Sequence, residues 1–201
     1  MLRFDIINYL IAKYDYKDYL EIGVRNAAAC FDKIIAPNKT AVDPSFFVRP
    51  KGEKDICHEE TSDEFFVKNK KLYDIIFIDG MHLYEYVYKD VENSLNSLNI
   101  NGHIILHDCN PILEYHQRSF EEYDGTGIWN GTVWKAFVKY RSHKNLQMTT
   151  INTDHGIGCI KRGNQETLKV NEEDLNWGNF VQNRKLWLNL KPLSEDTLEC
   201  L

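Results

Sequence analysis

The chain of 201 residues has little of several features, and each shortage excludes a class of protein. Its five cysteines are scattered without a C-x-x-C pair, which argues against a zinc site or a disulfide framework. Lysine and arginine number 24 against 30 acidic residues, so the broad basic face of a nucleic-acid-binding protein is not expected. No run approaches the roughly 20 apolar residues that span a bilayer, and no segment has the pattern of a secretion signal. We therefore expect a cytoplasmic protein with neither a membrane nor a nucleic-acid partner.

What the sequence does have is an alternation of apolar runs with helical patterns from residue 19 to about residue 160. This alternation predicts an α/β fold, a Rossmann-like doubly wound sheet of about seven strands that is mostly parallel. A short turn at residues 152–155 predicts that the sheet ends in an antiparallel carboxy-terminal hairpin. We predict one domain over residues 1–162. Residues 163–201 are expected to form a tail that packs on this domain or joins two subunits of a homo-oligomer.

The predicted helices cover the segments between the strands. Ser62 is expected to cap the second of them, and Asn101-Gly102 is expected to turn the chain into a strand over residues 103–106. Trp134 is expected in the core, packing its helix on the sheet. The predicted helices are residues 27–35, a helix from Ser62 onward, residues 84–98 and residues 132–140.

An acidic residue stands at the end of four of the predicted strands: Glu21, Asp43, Asp79 and Asp108. A single carboxylate at such a position is usually a solvated terminus or a helix cap. In an open parallel sheet, however, the carboxyl ends of the strands form the edge at which ligands bind. Four acids along one edge therefore predict a binding site.

The loop after the first strand distinguishes between cofactors. A dinucleotide site needs G-x-G-x-x-G, whereas this loop has a single glycine, Gly23, preceded by Glu21. Glu21 would repel a pyrophosphate but attract the α-ammonium group of a cofactor that carries an amino acid. Asp43 follows Gly23 by about 20 residues, the spacing of a carboxylate that binds ribose hydroxyls. The pattern favours S-adenosylmethionine over NAD.

Four motifs resemble those of a known family. Residues 19–26, YLEIGVRN, resemble the first motif of class I S-adenosylmethionine-dependent methyltransferases. Three further motifs are similar to those of a bacterial "methyltransferase domain" subgroup associated with small-molecule and glycan modification. These are residues 74–84 (DIIFIDGMHLY), 101–111 (NGHIILHDCNP) and 129–135 (WNGTVWK). The four motifs occur in the family's order, and the resemblance covers residues 19–160.

The resemblance implies a set of cofactor-binding residues for S-adenosylmethionine and its product, S-adenosylhomocysteine. Ala27 and Ala28 stand where relatives have a further glycine, which predicts a loop slightly farther from the cofactor. The implied contacts are Glu21 and Gly23 with the methionine end, Asp43 with the ribose, Ser62 and Asp63 beside the adenine, and Asp79 on the methionine and acceptor side.

Methyl transfer to a hydroxyl group requires an aligned acceptor and a base that removes its proton. The candidate bases are His82 and His107, since an imidazole titrates near neutral pH. Asp108 is expected to orient either ring or to act as the base itself. Both histidines also have a structural interpretation, His107 as a hydrogen-bonded residue of the strand end and His82 as a support at a helix start. A flexible loop over residues 123–130 is predicted to cover the acceptor.

A metal-dependent mechanism is the alternative. Asp79 and Asp108 match two ligand positions of catechol-type O-methyltransferases, but Cys109 stands where a third oxygen ligand is needed. A thiol is a poor ligand for magnesium, so Asn110 or His107 would have to replace it, and we assign no metal ligand. The favoured function is O-methylation of a small hydroxylated acceptor such as a sugar or a secondary metabolite, with N-methylation left open. The alternative function is a non-catalytic cofactor-binding or assembly domain in a glycan-synthesis system.

Overall fold

The computed structural model describes all 201 residues. Its strands are β1 (Asp18–Ile22), β2 (Asn38–Val42), β3 (Ile56–His58), β4 (Tyr73–Ile78), β5 (Leu98–Leu106), β6 (Leu146–Ile151), β7 (Ile157–Arg162) and β8 (Leu190–Lys191). They form one sheet in the order β3-β2-β1-β4-β5-β7-β6-β8. β1 pairs in parallel with β2 and β4, and β6 pairs antiparallel with β7. The predicted Rossmann-like sheet with its antiparallel hairpin is confirmed, and β8 is a further short strand parallel to β6.

The helices are α1 (Arg3–Tyr14), α2 (Ser62–Lys68), α3 (Tyr84–Asn96), α4 (Val133–Tyr140), α5 (Trp177–Trp187) and α6 (Glu195–Glu199). Three of the four predicted helices form, with different bounds, as α2, α3 and α4. Thr61, not Ser62, caps α2, because the Thr61 hydroxyl accepts a hydrogen bond from the Glu64 amide, and the Glu64 side chain bonds back to Thr61. Asn101 and Gly102 lie inside β5, so the turn predicted there was wrong.

The helix predicted over residues 27–35 is also wrong, since only Phe31–Lys33 forms a short 3₁₀ helix. The Ala27 amide donates instead to the Val48 carbonyl oxygen, at 2.9 Å. This bond belongs to an isolated parallel bridge between Asn26 and Val48. The chain therefore leaves β1 through a compact loop instead of a long helix.

The chain forms two compact units. The first comprises residues 1–81 and 89–105, and the second comprises residues 82–88 and 106–201. The core of the first unit is built on β1 and β4, whose apolar side chains are almost fully buried. Burial on both faces explains why residues 75–78 of β4 are all apolar.

The core of the second unit is centred on Trp134 of α4, which is fully buried as predicted. Its ring lies 4.3 Å from that of Phe180 and 6.1 Å from that of Trp187, measured between centroids. Both partners belong to α5, so part of the predicted tail packs within this unit. The predicted domain boundary at residue 162 stays a prediction. None of the helices has the length and apolar character needed to cross a membrane.

Candidate functional site

Glu21 lies near the carboxyl end of β1 with only 2% of its surface exposed. The backbone register places it between Ala41 of β2 and Phe77 of β4. The Tyr19 hydroxyl donates a hydrogen bond to the Glu21 carboxylate. Burial raises the pKa of Glu21 to about 8, an effect that the Tyr19 hydrogen bond and the charge of Arg3 partly oppose. The first predicted acid is therefore a buried group with a strong preference for a positively charged partner when it ionises.

Gly23 follows β1 with φ at +86°, in the left-handed region that favours glycine. A Cβ atom here would lie 2.3 Å from the Gly80 Cα and 2.4 Å from the Asp79 carbonyl oxygen. Only glycine fits at this approach of the β1 loop to the β4 loop. The missing side chain therefore lets the two loops pack against each other at the carboxyl edge of the sheet.

Asp43 follows β2 and organises the same loop. One carboxylate oxygen accepts a hydrogen bond from the Arg25 amide at 2.7 Å, and the other accepts from the Ser45 amide at 2.8 Å. A carboxylate oxygen has two lone pairs, so these bonds leave acceptor capacity for ribose hydroxyls. The position and chemistry of Asp43 fit its predicted role.

Asp79 follows β4 and forms an ion pair with the amino-terminal helix. The Arg3 Nη1 atom donates to the Asp79 Oδ2 atom at 3.0 Å, and both side chains are about one-fifth exposed, at 24% and 18%. The sequence motifs gave no reason to place a residue of α1 here. We call Glu21, Gly23, Asp43 and Asp79 the cofactor rim.

The two residues predicted beside the adenine begin α2 and face α3. The Ser62 side chain is hydrogen-bonded to the Asp90 carboxyl group, whose pKa burial raises to about 6. Asp63 pairs with Lys89 at 2.6 Å, and both side chains are about half exposed. A contact of Ser62 and Asp63 with adenine stays a prediction.

The three predicted catalytic residues come together in the second unit. The Asp108 Oδ2 atom lies 3.3 Å from His82 Nδ1 and 3.0 Å from His107 Nδ1. The other Asp108 oxygen accepts a hydrogen bond from the buried Asn130 side chain at 2.7 Å. Asp108 has φ at +60°, a backbone conformation that is uncommon for residues other than glycine. The contacts of its side chain hold the residue in this conformation. We call His82, His107 and Asp108 the histidine–aspartate cluster.

His82 is oriented by a backbone carbonyl group as well as by Asp108. Its Nδ1 atom lies 2.9 Å from the Trp129 carbonyl oxygen. A carbonyl oxygen and a carboxylate can only accept hydrogen bonds, so the proton of the neutral imidazole belongs on Nδ1. The Nε2 atom then carries the lone pair that a general base needs.

His107 has a different environment. Its Nε2 atom lies 3.6 Å from the Asp154 Oδ1 atom, which belongs to the turn between β6 and β7. Both ring nitrogens of His107 therefore face carboxylates, a setting that favours donation of hydrogen bonds. This geometry suits a residue that holds Asp108 in place.

The segment after Asp108 bears on the metal alternative. The Cys109 thiol is buried among backbone carbonyls, 3.9 Å from that of Leu106, and burial raises its pKa far above the usual value. Asn110 donates from its amide nitrogen to Asn152 at 3.1 Å, while its buried Oδ1 atom has no hydrogen-bond partner. The thiol does not fit a hard cation, whereas Asn110 Oδ1 keeps this alternative open.

The loop over residues 123–130 is tied down by Arg118, a buried cation. The Arg118 guanidinium donates to the carbonyl oxygens of Thr126 and Ile128, at 2.9 and 2.8 Å. In return, the Trp129 indole donates to the Arg118 carbonyl oxygen at 2.8 Å. An opening movement of the predicted lid at Thr126 or Ile128, without Arg118, would break these hydrogen bonds. The lid function stays a prediction.

Ring stacking connects this loop to His82. The Trp129 ring stacks on the His82 ring, with centroids 5.2 Å apart and planes 16° apart. The Trp129 ring also stacks on the Tyr123 ring, with centroids 4.7 Å apart and planes 11° apart. The sequence interpretation missed Trp129 as a support of His82. The only available signal was its place in the fourth motif.

A family model described as a methyltransferase domain matches residues 29–109 of this chain. No curated protein matches it. Similar solved structures include a methyltransferase of Podospora anserina with bound S-adenosylhomocysteine, at 16% identity, a TM-score of 0.58, and coverage of 79% of this chain and 76% of that one.

Two O-methyltransferases are similarly related. One, from Streptomyces achromogenes, is involved in tomaymycin synthesis and was solved with S-adenosylmethionine; it is 11% identical, with a TM-score of 0.55 and coverage of 78% of both chains. The other, from Bacillus cereus with S-adenosylhomocysteine, is 12% identical, with a TM-score of 0.53 and coverage of 78% and 79%. At such identity these structures show the fold. With the family match, they confirm the predicted resemblance to class I S-adenosylmethionine-dependent methyltransferases.

Proposed function

We propose that this chain transfers the methyl group of S-adenosylmethionine to a hydroxyl group of a small molecule, such as a sugar or a secondary metabolite. The observation that carries this proposal is the orientation of His82. Its Nδ1 atom faces the Trp129 carbonyl oxygen and the Asp108 carboxylate, which places the lone pair of the neutral ring on Nε2. An amine acceptor needs little help from a base, so this arrangement favours a hydroxyl group.

The cofactor rim supports the binding half of the proposal. When bound, S-adenosylmethionine supplies an electrophilic methyl group on a positively charged sulfur atom. The backbone at Gly23 would contact the methionine end, Asp43 would accept hydrogen bonds from the ribose, and the acids Glu21 and Asp79 would face the positive charges. Related structures with S-adenosylhomocysteine or S-adenosylmethionine are consistent with this ligand.

The histidine–aspartate cluster would handle the proton. His82 Nε2 would take the hydroxyl proton while the acceptor oxygen forms its bond to the methyl carbon and the carbon–sulfur bond breaks. The electron pair of that bond stays on sulfur, which becomes the neutral thioether of S-adenosylhomocysteine. Asp108 would stabilise the imidazolium ion so formed, and His107 would hold Asp108 through its 3.0 Å contact.

Binding is the first test. Calorimetric titration of S-adenosylmethionine, S-adenosylhomocysteine and NAD should give affinity for the two sulfur ligands alone. Glu21→Ala and Asp43→Ala should abolish it, whereas Glu53→Ala, which removes an exposed acid of the same unit, should leave it unchanged. If the wild-type chain binds none of the three ligands, the proposal is wrong.

Turnover is the second test. Formation of S-adenosylhomocysteine is measured with a panel of hydroxylated small molecules, with and without EDTA. Activity that survives EDTA excludes the metal alternative. Tight cofactor binding without turnover on any acceptor would favour the non-catalytic alternative. Gel filtration tests the predicted oligomer, because a chain that elutes only as a monomer would exclude subunit contact through residues 163–201.

A further inference from the structure

Arg3 is directed toward the cofactor rim by the packing of α1. It precedes Ile6 and Ile7 by three and four residues, so the three side chains share one face of the helix. Ile6 and Ile7 are fully buried, which fixes that face against the first unit. The guanidinium of Arg3 consequently reaches Asp79, at 3.0 Å, with only 24% of its side chain exposed.

The charge of Arg3 also acts on the buried carboxyl group of Glu21. Arg3 favours the ionised form of Glu21, while Asp79 disfavours it. The guanidinium thus lies among the acids of the rim, within electrostatic range of two of them.

The amino-acid end of S-adenosylmethionine carries two opposite charges, an α-ammonium and an α-carboxylate. Glu21 and Asp79 suit the ammonium group but would repel the carboxylate. A carboxylate at this rim therefore needs a positively charged partner. Arginine has five N–H donors in a planar fork, so it can contact Asp79 and a second carboxylate at the same time.

We infer that Arg3 binds the α-carboxylate of the cofactor while Asp79 holds its guanidinium in position. This inference rests on the proposed function, because it requires S-adenosylmethionine to be the ligand. It assigns α1, which lies outside the four sequence motifs, to the cofactor site.

The test compares two ligands that differ only by the carboxylate, S-adenosylmethionine and its decarboxylated form. Calorimetry is performed on the wild-type chain, Arg3→Gln and Arg3→Lys. Arg3→Gln should weaken S-adenosylmethionine binding by about 10- to 100-fold, the effect of one charge-assisted hydrogen-bonded contact, and leave the decarboxylated ligand nearly unaffected. Arg3→Lys should recover part of the loss, because it keeps the charge without the fork.

The control variant is Arg49→Gln, which removes an exposed arginine paired with Glu59 in the same unit. It should change neither affinity. An equal loss of affinity for both ligands in Arg3→Gln would show that Arg3 has a structural role, and no loss would show that it does not bind the cofactor. Either result overturns the inference about Arg3 and leaves the proposed function standing. If the wild-type chain binds neither ligand, the proposed function is wrong, and the assignment of Arg3 is wrong with it.

Discussion

The cofactor rim and the histidine–aspartate cluster are built in different ways. The acids of the rim, Glu21, Asp43 and Asp79, lie at the carboxyl ends of neighbouring parallel strands whose register brings these ends together. The cluster joins His82, at the start of a helix, to the end of β5 and to contacts from two loops. Parallel pairing can therefore position a rim almost by itself, whereas the cluster depends on side-chain and backbone contacts between distant segments.

The largest expected effect tests the cluster. His82→Gln removes the proposed base and should lower turnover by about 10²- to 10⁴-fold with S-adenosylhomocysteine affinity unchanged. The matched control is His143→Gln, an exposed histidine of the same unit, which should keep full turnover. Initial rates and calorimetry measure both quantities. If turnover instead survives in His82→Gln and is lost in His107→Gln, the roles of the two histidines are reversed.

The second effect tests the rim. Gly23→Ala adds a Cβ atom 2.3 Å from the Gly80 backbone at a positive φ, so the free energy of unfolding should fall by about 2–5 kcal/mol from collision and strain together. Gly125 has a similar φ of +82° but no atom within 4 Å of an added Cβ. Gly125→Ala should thus lose only about 1–2 kcal/mol, the strain alone. Equal losses in urea unfolding would show that the close approach at Gly23 has no cost.

A smaller effect concerns the support of the cluster. Asn130 is fully buried and donates to Asp108 at 2.7 Å. Asn130→Ala should lower the free energy of unfolding by about 1–3 kcal/mol, because the buried carboxylate loses a partner. Asn183→Ala, which removes a local bond to the Asn179 carbonyl oxygen near the surface, should cost less. Urea unfolding of both variants checks the difference, and similar costs would mean that Asn130 contributes no more than an ordinary local hydrogen bond.

The smallest effect is a pH dependence in the rim. Burial raises the pKa of Glu21 from 4.5 to about 8, so between these values the folded chain binds a proton that the unfolded chain has lost. Stability should then fall as pH rises, by about 1.4 kcal/mol per pH unit from this group. Glu21→Gln removes this contribution, so its Tm relative to the wild type should rise between pH 6 and pH 7. A constant Tm difference would mean that Glu21 is already ionised.

The sequence alone predicted the parallel sheet, the acids of the rim and the residues of the cluster, because each belongs to a strand or lies just beyond the end of one. Periodicity and strand ends are local signals. Arg3 was not predicted, since nothing in its neighbourhood indicates that α1 packs with that face toward Asp79. Trp129 and Asp154 were missed for the same reason. Their roles depend on contacts with residues far away in the chain.

The helix predicted over residues 27–35 shows the opposite kind of error. Its composition favours a helix, but the Ala27 amide bonds to Val48 and the segment closes into turns. The tertiary context thus overrides the local preference. The spacing of apolar residues, from which helices are predicted, carries no information about a distant partner such as Val48.

The stack of Tyr123, Trp129 and His82 has a consequence for how such a protein can change its acceptor. The loop that would select the acceptor also supplies the ring and the carbonyl group that orient the base. A substitution in this loop that admits a larger molecule would also change the orientation of the His82 imidazole. Acceptor selectivity and reaction rate would therefore change together. Redirecting the chain to a new acceptor without loss of rate would require changes that leave these three rings as they are.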